Sequence, residues 1–143
     1  VTFYRQYASK DVLIRAYLDY RHVRWMAWFE TSLVQALGQG LPAADALADT
    51  LAAWFSQPDF RGCAFLNAAA ELGSTDPEIL ATVRRHKQDM ASVLDRLFAG
   101  SAAPAGRPLS LLIDGAIVHA QMGQPIEDVV QSFRASLAAM LGR

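Results

Sequence analysis

Asn67 and His86 are each a polar group set on an otherwise apolar helical stripe. A buried donor or acceptor needs a partner. Each residue therefore points to a hydrogen bond between helices, the simpler answer, or to a bound ligand. Cys63 lies four residues before Asn67 and shares its face. A thiol there is either an inert small hydrophobe or a sensor of redox or electrophile chemistry. Bulky apolar residues accompany these three along the chain: Trp25, Trp28 and Phe29, then Trp54 and Phe55, then Leu66 and Met90. Aromatic walls with few polar groups suit a pocket for an apolar small molecule, although the same residues at helical spacing also make ordinary core. Together with Cys63, Asn67 and His86 they form the expected pocket lining.

The remaining titratable groups read more plainly. Asp19 and His22 are three apart on a polar face and are expected to be exposed, and Arg84, Arg85 and Lys87 read as a solvated helix face. The sequence lacks Gly-x-Ser-x-Gly, a phosphate-cradling glycine loop, paired cysteines, His-Glu-x-x-His and a repeated Glu-x-x-His. No catalysis, metal or cofactor is expected.

Helices must position these groups. Ser9 is a good N-cap, and Ile14, Leu18, Trp25, Phe29, Leu33 and Ala36 recur at steps of mostly three or four up to Gly38-Gln39-Gly40. A second helix is expected from Pro42, in its first turn, to about Gln57, and Pro58 stops it. A short, largely buried helix spans Arg61 to Leu72. Thr75-Asp76-Pro77-Glu78 offers a capping box for a long helix with the stripe Ile79, Val83, His86, Met90, Val93 and Leu97. Arg84, Arg85, Gln88 and Asp95 are expected on its outer face. Gly100 to Arg107 reads as a linker, and helices follow from Pro108 to about Met122 and from Ile126 onward. The expectation is an all-α fold of about six helices.

Composition narrows the class. The 143 residues are 52% hydrophobic and 19% charged, enough for one domain with a real core. A net charge of −1 argues against DNA binding by this surface alone, because phosphate neutralisation supplies most of such affinity. Cys63 is the single cysteine, which fits a reducing cytoplasm. No run approaches the roughly 18 apolar residues that span a bilayer, and no signal peptide is visible. The start at Val1-Thr2-Phe3-Tyr4, without an initiator Met, reads as a cut inside an element.

The last two helices carry more apolar surface than one small subunit can easily bury. Pairing with a second copy would bury it in a four-helix bundle, the alternative being that both helices complete the monomer core. The expected dimer contacts are Leu112, Gly115, Ala116, His119, Val130, Phe133 and Leu137, with Gly115 and Ala116 allowing close backbone approach.

Thr2, Tyr4, Tyr7, Lys10 and Leu13 stand at the spacing that closes the helix-turn-helix of TetR/AcrR regulators, with Tyr7 where Phe is commoner. The run Phe60 to Glu71, the Asp76-Pro77 helix start, the pair His86-Lys87 and the run Leu111 to Ala116 resemble one subgroup of that family in the right order. The resemblance implies a remnant of the DNA-binding head at 1–8 and an effector-binding and dimerisation domain at 9–143. It also implies phosphate contacts from Thr2, Tyr4 and Lys10. The function so implied is a homodimeric repressor, released from operator DNA by a largely apolar effector. The alternative is a helical ligand-binding or interaction module that never touches DNA.

Overall fold

The computed structural model describes residues 9–100 and 106–141; Thr2, Tyr4 and the rest of segment 1–8 lie outside the described residues. Six helices follow one another: α1 (Lys10–Gly38), α2 (Ala43–Phe55), α3 (Ala64–Leu72), α4 (Pro77–Leu97), α5 (Gly106–Gln121) and α6 (Ile126–Met140). No strand occurs among the described residues, so the fold is all-α as expected.

Local chemistry sets the helix ends. Ser9 caps α1, its hydroxyl accepting from the Val12 N–H at 3.2 Å. At the far end Gly40 takes φ 87°, which lets the Leu41 N–H reach the Ala36 carbonyl and close the helix. Three expectations are corrected here. Pro42 stands just outside α2 as its capping residue, and α2 ends at Phe55. Residues 61–63 form a loop rather than the first turn of α3. The cap of α4 is Asp76, not Thr75: one Asp76 carboxylate oxygen accepts from Glu78 N–H at 3.0 Å and from Ile79 N–H at 3.2 Å. A carboxylate at a helix start also meets the positive end of the dipole, which favours Asp over Thr.

α4 is the hub, packing against α1, α3 and α5, while α6 joins α2 and α5. Its inward stripe is Ile79, Val83, His86, Met90 and Val93, all buried. Opposite it, α1 contributes Leu18, Phe29 and Leu33, and α5 contributes Leu109, Ile113 and Ile117. The close α4–α5 approach is made at Gly106, where a Cβ would collide with the Ala91 carbonyl and the Asp95 carboxylate. The Gly106 N–H instead donates to Asp95 at 2.7 Å.

α1 and α4 run parallel, and polar residues of the two helices, among them Asp19, His22 and Arg85 that were expected to face solvent, meet along their seam. Arg15 pairs with Glu78, Asp19 with Arg85 at 3.3 Å, His22 with Asp89 at 3.2 Å and Glu30 with Arg96. The polar face of each helix is solvated only in part, because two parallel helices in contact bring their flanking rows together. Lys87 is likewise no solvated residue: its ammonium lies 2.6 Å from the Asp114 carboxylate on α5, both groups largely shielded.

Replacing the α4 cap, Asp76→Ala, is expected to lower stability by about 1 kcal/mol in urea titrations. Thr75→Ala should cost less than about 0.5 kcal/mol, because the Thr75 hydroxyl only donates to the Leu72 carbonyl on an exposed turn.

Candidate functional site

His86 projects from the buried face of α4 and is 2% exposed. Its ring stacks on Phe65 of α3 with centroids 3.6 Å apart and planes 3° from parallel. Its Nδ1 lies 2.9 Å from the Nδ1 of His22 on α1. The other His22 nitrogen, Nε2, lies 3.2 Å from the Asp89 carboxylate. A carboxylate only accepts, so His22 carries a proton on Nε2, and a single proton bridges the two Nδ1 atoms. Burial, the Lys87 ammonium and His22, in that order, push His86 down from 6.5 to about 3. His86 is therefore neutral in the folded protein at ordinary pH.

Trp25, one turn beyond His22, extends the cluster. It stacks on Phe29 at 4.6 Å, meets Trp54 edge-on at 5.3 Å and meets His86 edge-on at 5.4 Å. The indole N–H of Trp25 is buried and finds no acceptor among the described residues. Among those residues, no group of three or more His, Cys, Asp or Glu side chains is placed to hold a metal ion.

A cleft of about 560 Å³ opens beside this cluster, between the first half of α1, the loop after α2, and α3. Its apolar wall is Ile14, Leu18, Trp54, Phe60, Ala64, Ala68 and Leu72, and its polar groups are Tyr17, Arg21, Gln57, Asp59, Arg61, Asn67 and Glu71. Arg21, Trp54 and Ala64 also border a void of about 10 Å³ further in, closed by Trp25, Cys63, Phe65 and His86. The loop wall is pinned from two sides. Gly62 takes φ 88°, and the Gln121 amide occupies the place where its Cβ would stand. Gln121 then donates to Asn67 at 2.8 Å, and Asn67 donates to the Arg61 carbonyl at 3.3 Å.

No family model matches the sequence, and no curated protein matches it significantly. Among solved structures, the chain is similar to SCO4454, a TetR-family transcriptional regulator from Streptomyces coelicolor. The two are 33% identical with a TM-score of 0.76, over 98% of this chain and 70% of the other. The chain belongs to the TetR family.

The TetR-family chain distributes its expected pocket residues unevenly. Trp54 and Asn67 line the cleft, and Trp25, Trp54, Cys63 and His86 line the inner void. Phe29, Phe55 and Met90 are core residues, while Trp28 and Leu66 are half-buried against the core; these five border neither space. Asn67 and His86 both take the simpler of their two expected answers, a hydrogen bond between elements. His22, expected to be exposed, is instead the partner of His86. A spacing of three on a polar face carries no sign that a neighbouring helix will supply a buried hydrogen-bond partner. Arg21, Tyr17 and Phe60 also went unmarked, although Phe60 stood at the head of the family-like run. Cys63 is buried with its sulfur 3.6 Å from the Lys87 ammonium.

A second concavity of about 340 Å³ lies between α5 and α6 of the TetR-family fold. Of the expected dimer contacts, Leu112, Gly115, Ala116, His119 and Phe133 line it. Val130 is half-buried, and Leu137 is wholly inside the single chain, where it serves the core. Leu111, Gly115 and Val118 on α5, with Met122 just past its end, form one exposed stripe, with Leu111 70% and Met122 61% exposed. No helix among the described residues is long and apolar enough to cross a membrane.

The neutral His86 makes stability pH-dependent. Its folded value is depressed, so between pH 6.5 and about 3 the unfolded chain binds the extra proton and stability falls as pH falls. This group should remove about 2 kcal/mol between pH 7.5 and pH 5. His86→Gln, which takes no proton, is expected to show that much less loss in urea midpoints across the same interval. An equal loss in both proteins would exclude His86 as the source.

Proposed function

We propose that the chain is the effector-binding and dimerisation part of a transcriptional repressor, with residues 9–143 forming that domain and residues 1–8 ending a DNA-binding head. The observation that carries this reading is the cleft along the first half of α1, lined by Ile14, Tyr17, Leu18 and Arg21. Those residues lie within three turns of Lys10, the first residue of the helix. A ligand seated there contacts the helix that leads into the segment bearing Thr2 and Tyr4. These two residues, with the exposed Lys10, have the hydroxyl, phenol and ammonium groups suited to phosphate contacts.

The mechanism follows from the seams of α1. One side of the helix is fixed to α4 by the charged pairs and the His22–His86 bond; the other faces the cleft. An effector that fits a cleft of different width tilts α1 between these two sides. In a dimer that tilt changes the separation of two heads that must match half-sites about one helical turn apart. Release requires the effector to bind the non-DNA-binding arrangement more tightly. Selection of DNA from a random pool by the intact gene product, followed by titration with candidate effectors, tests this. Recovery of a palindromic site whose occupancy falls with effector is the expected outcome. No selected sequence would favour a helical module without a DNA role.

The apolar stripe on α5 and the groove beside it support self-association. Burying two such side chains contributes about 3–6 kcal/mol. The double substitution Leu111→Glu with Val118→Glu is thus expected to raise the dimer dissociation constant at least about 100-fold in sedimentation equilibrium. Unchanged association would place the interface elsewhere.

A further inference from the structure

Two hydrogen-bond donors on α1, beside the cleft and the small void that shares three of its lining residues, are left unanswered by the described residues. The Trp25 indole N–H is buried without an acceptor. Four residues earlier on α1, Arg21 is half-buried. Two other arginines among the described residues are half-buried; Arg15 pairs with Glu78, and Arg134 with Asp45 and Asp49. Arg21 has no carboxylate at ion-pair distance among the described residues, although it borders both the cleft and the inner void. The void, about 10 Å³, also contacts Trp25, and is close to the space one oxygen-sized group requires.

Resting on the reading of this cleft as the effector site, we propose that the effector is an organic monocarboxylate with an apolar body. One carboxylate oxygen enters the void, where the Trp25 N–H donates to it. The planar Arg21 guanidinium pairs with the carboxylate from the cleft side, and the body lies on Ile14, Leu18, Trp54 and Phe60. Arg61, the other guanidinium on the cleft, donates to the Pro58 and Phe60 carbonyls, which leaves the Arg21 fork for a ligand, and one fork with an oxygen-sized void suits a carboxylate. A phosphate dianion brings more oxygens than these donors answer, and Asp59 and Glu71 on the exposed rim of the cleft repel its second charge. The molecule so proposed is amphiphilic, an apolar body with one charged end.

Matched pairs of aryl and alkyl monocarboxylic acids and their primary amides discriminate, read by tryptophan fluorescence and calorimetry at fixed ionic strength. Acids are expected to bind wild type about 10- to 100-fold more tightly than their amides. Arg21→Gln should erase that preference, Arg21→Lys should restore part of it, and Ala64→Trp, filling the junction of cleft and void, should block both members of a pair. The acid–amide comparison on wild type stands even if a variant fails to fold. Acids and amides binding equally, yet both blocked by Ala64→Trp, would overturn the carboxylate and leave the cleft as the effector site. An acid preference that survives Arg21→Gln would also overturn the proposal. Failure of every acid and amide to bind wild type would remove both the carboxylate and the effector reading of the cleft.

Discussion

The arrangement of this molecule depends on how one buried imidazole is satisfied. His86 occupies the apolar centre of α4, stacked on Phe65, where an unpaired nitrogen would cost about 1–3 kcal/mol. The partner is His22, drawn from the otherwise polar side of α1 and held in turn by Asp89. That chain of contacts fixes both the rotation and the axial register of α1 against α4. Once it is set, Arg15 faces Glu78, Asp19 faces Arg85 and Glu30 faces Arg96 without further adjustment. The exposed charge pairs follow the register more than they create it, since pairs of that kind contribute little individually.

The same register decides where the cleft can be. With His22 turned toward α4, Arg21 and Trp25 flank it on the side that faces α3 and the loop after α2. The α3 side is held by Phe65 beneath His86 and by Asn67, which Gln121 ties to the end of α5. The cleft therefore has one wall on α1 and another braced by α4 and α5. Beyond the seam to α4, α1 also packs against α2 and α3, so a change in cleft width strains those contacts as well.

Much of the fold was legible in sequence because helical periodicity reports burial directly. The stripes on α1 and α4 lie where the spacing put them, and Ser9 caps as its type and position imply. Periodicity is blind to what faces a polar row. His22 and Lys87 both read as solvated, and both are shielded by groups distant in sequence: Lys87 by Asp114 and Cys63, His22 by His86 and Asp89. The same blindness affects the last two helices. Phe133 and Leu137 were expected at the contact between copies, and in the single chain both are buried. Leu111 and Val118 remain outside on α5 instead. For the candidate site, bulk alone does not separate lining from core, since Trp25 and Trp54 border the void. Asn67 and His86, chosen as polar intruders, border the cleft and the void, whereas Phe29, Phe55 and Met90, chosen for bulk, went to the core.

Two open surfaces, one beside α1 and one on α5 and α6, lie on different helices and share no lining residue. This separation has a mechanical consequence in the proposed dimer. If α5 and α6 form the contact between copies, ligand entry at α1 need not disturb that contact, and the pair stays together while its heads move. Coupling then has to pass through α4, which packs against both α1 and α5. The Lys87–Asp114 pair ties α4 to α5 one residue beyond His86 in sequence, so the hub is fixed to the α5 side at the level where α1 is pinned. In the proposed mechanism a helix held at that level and loaded beside it tilts about His22 rather than sliding. Such a tilt moves the end near Lys10 in proportion to its distance from the pivot, about 18 Å along the axis.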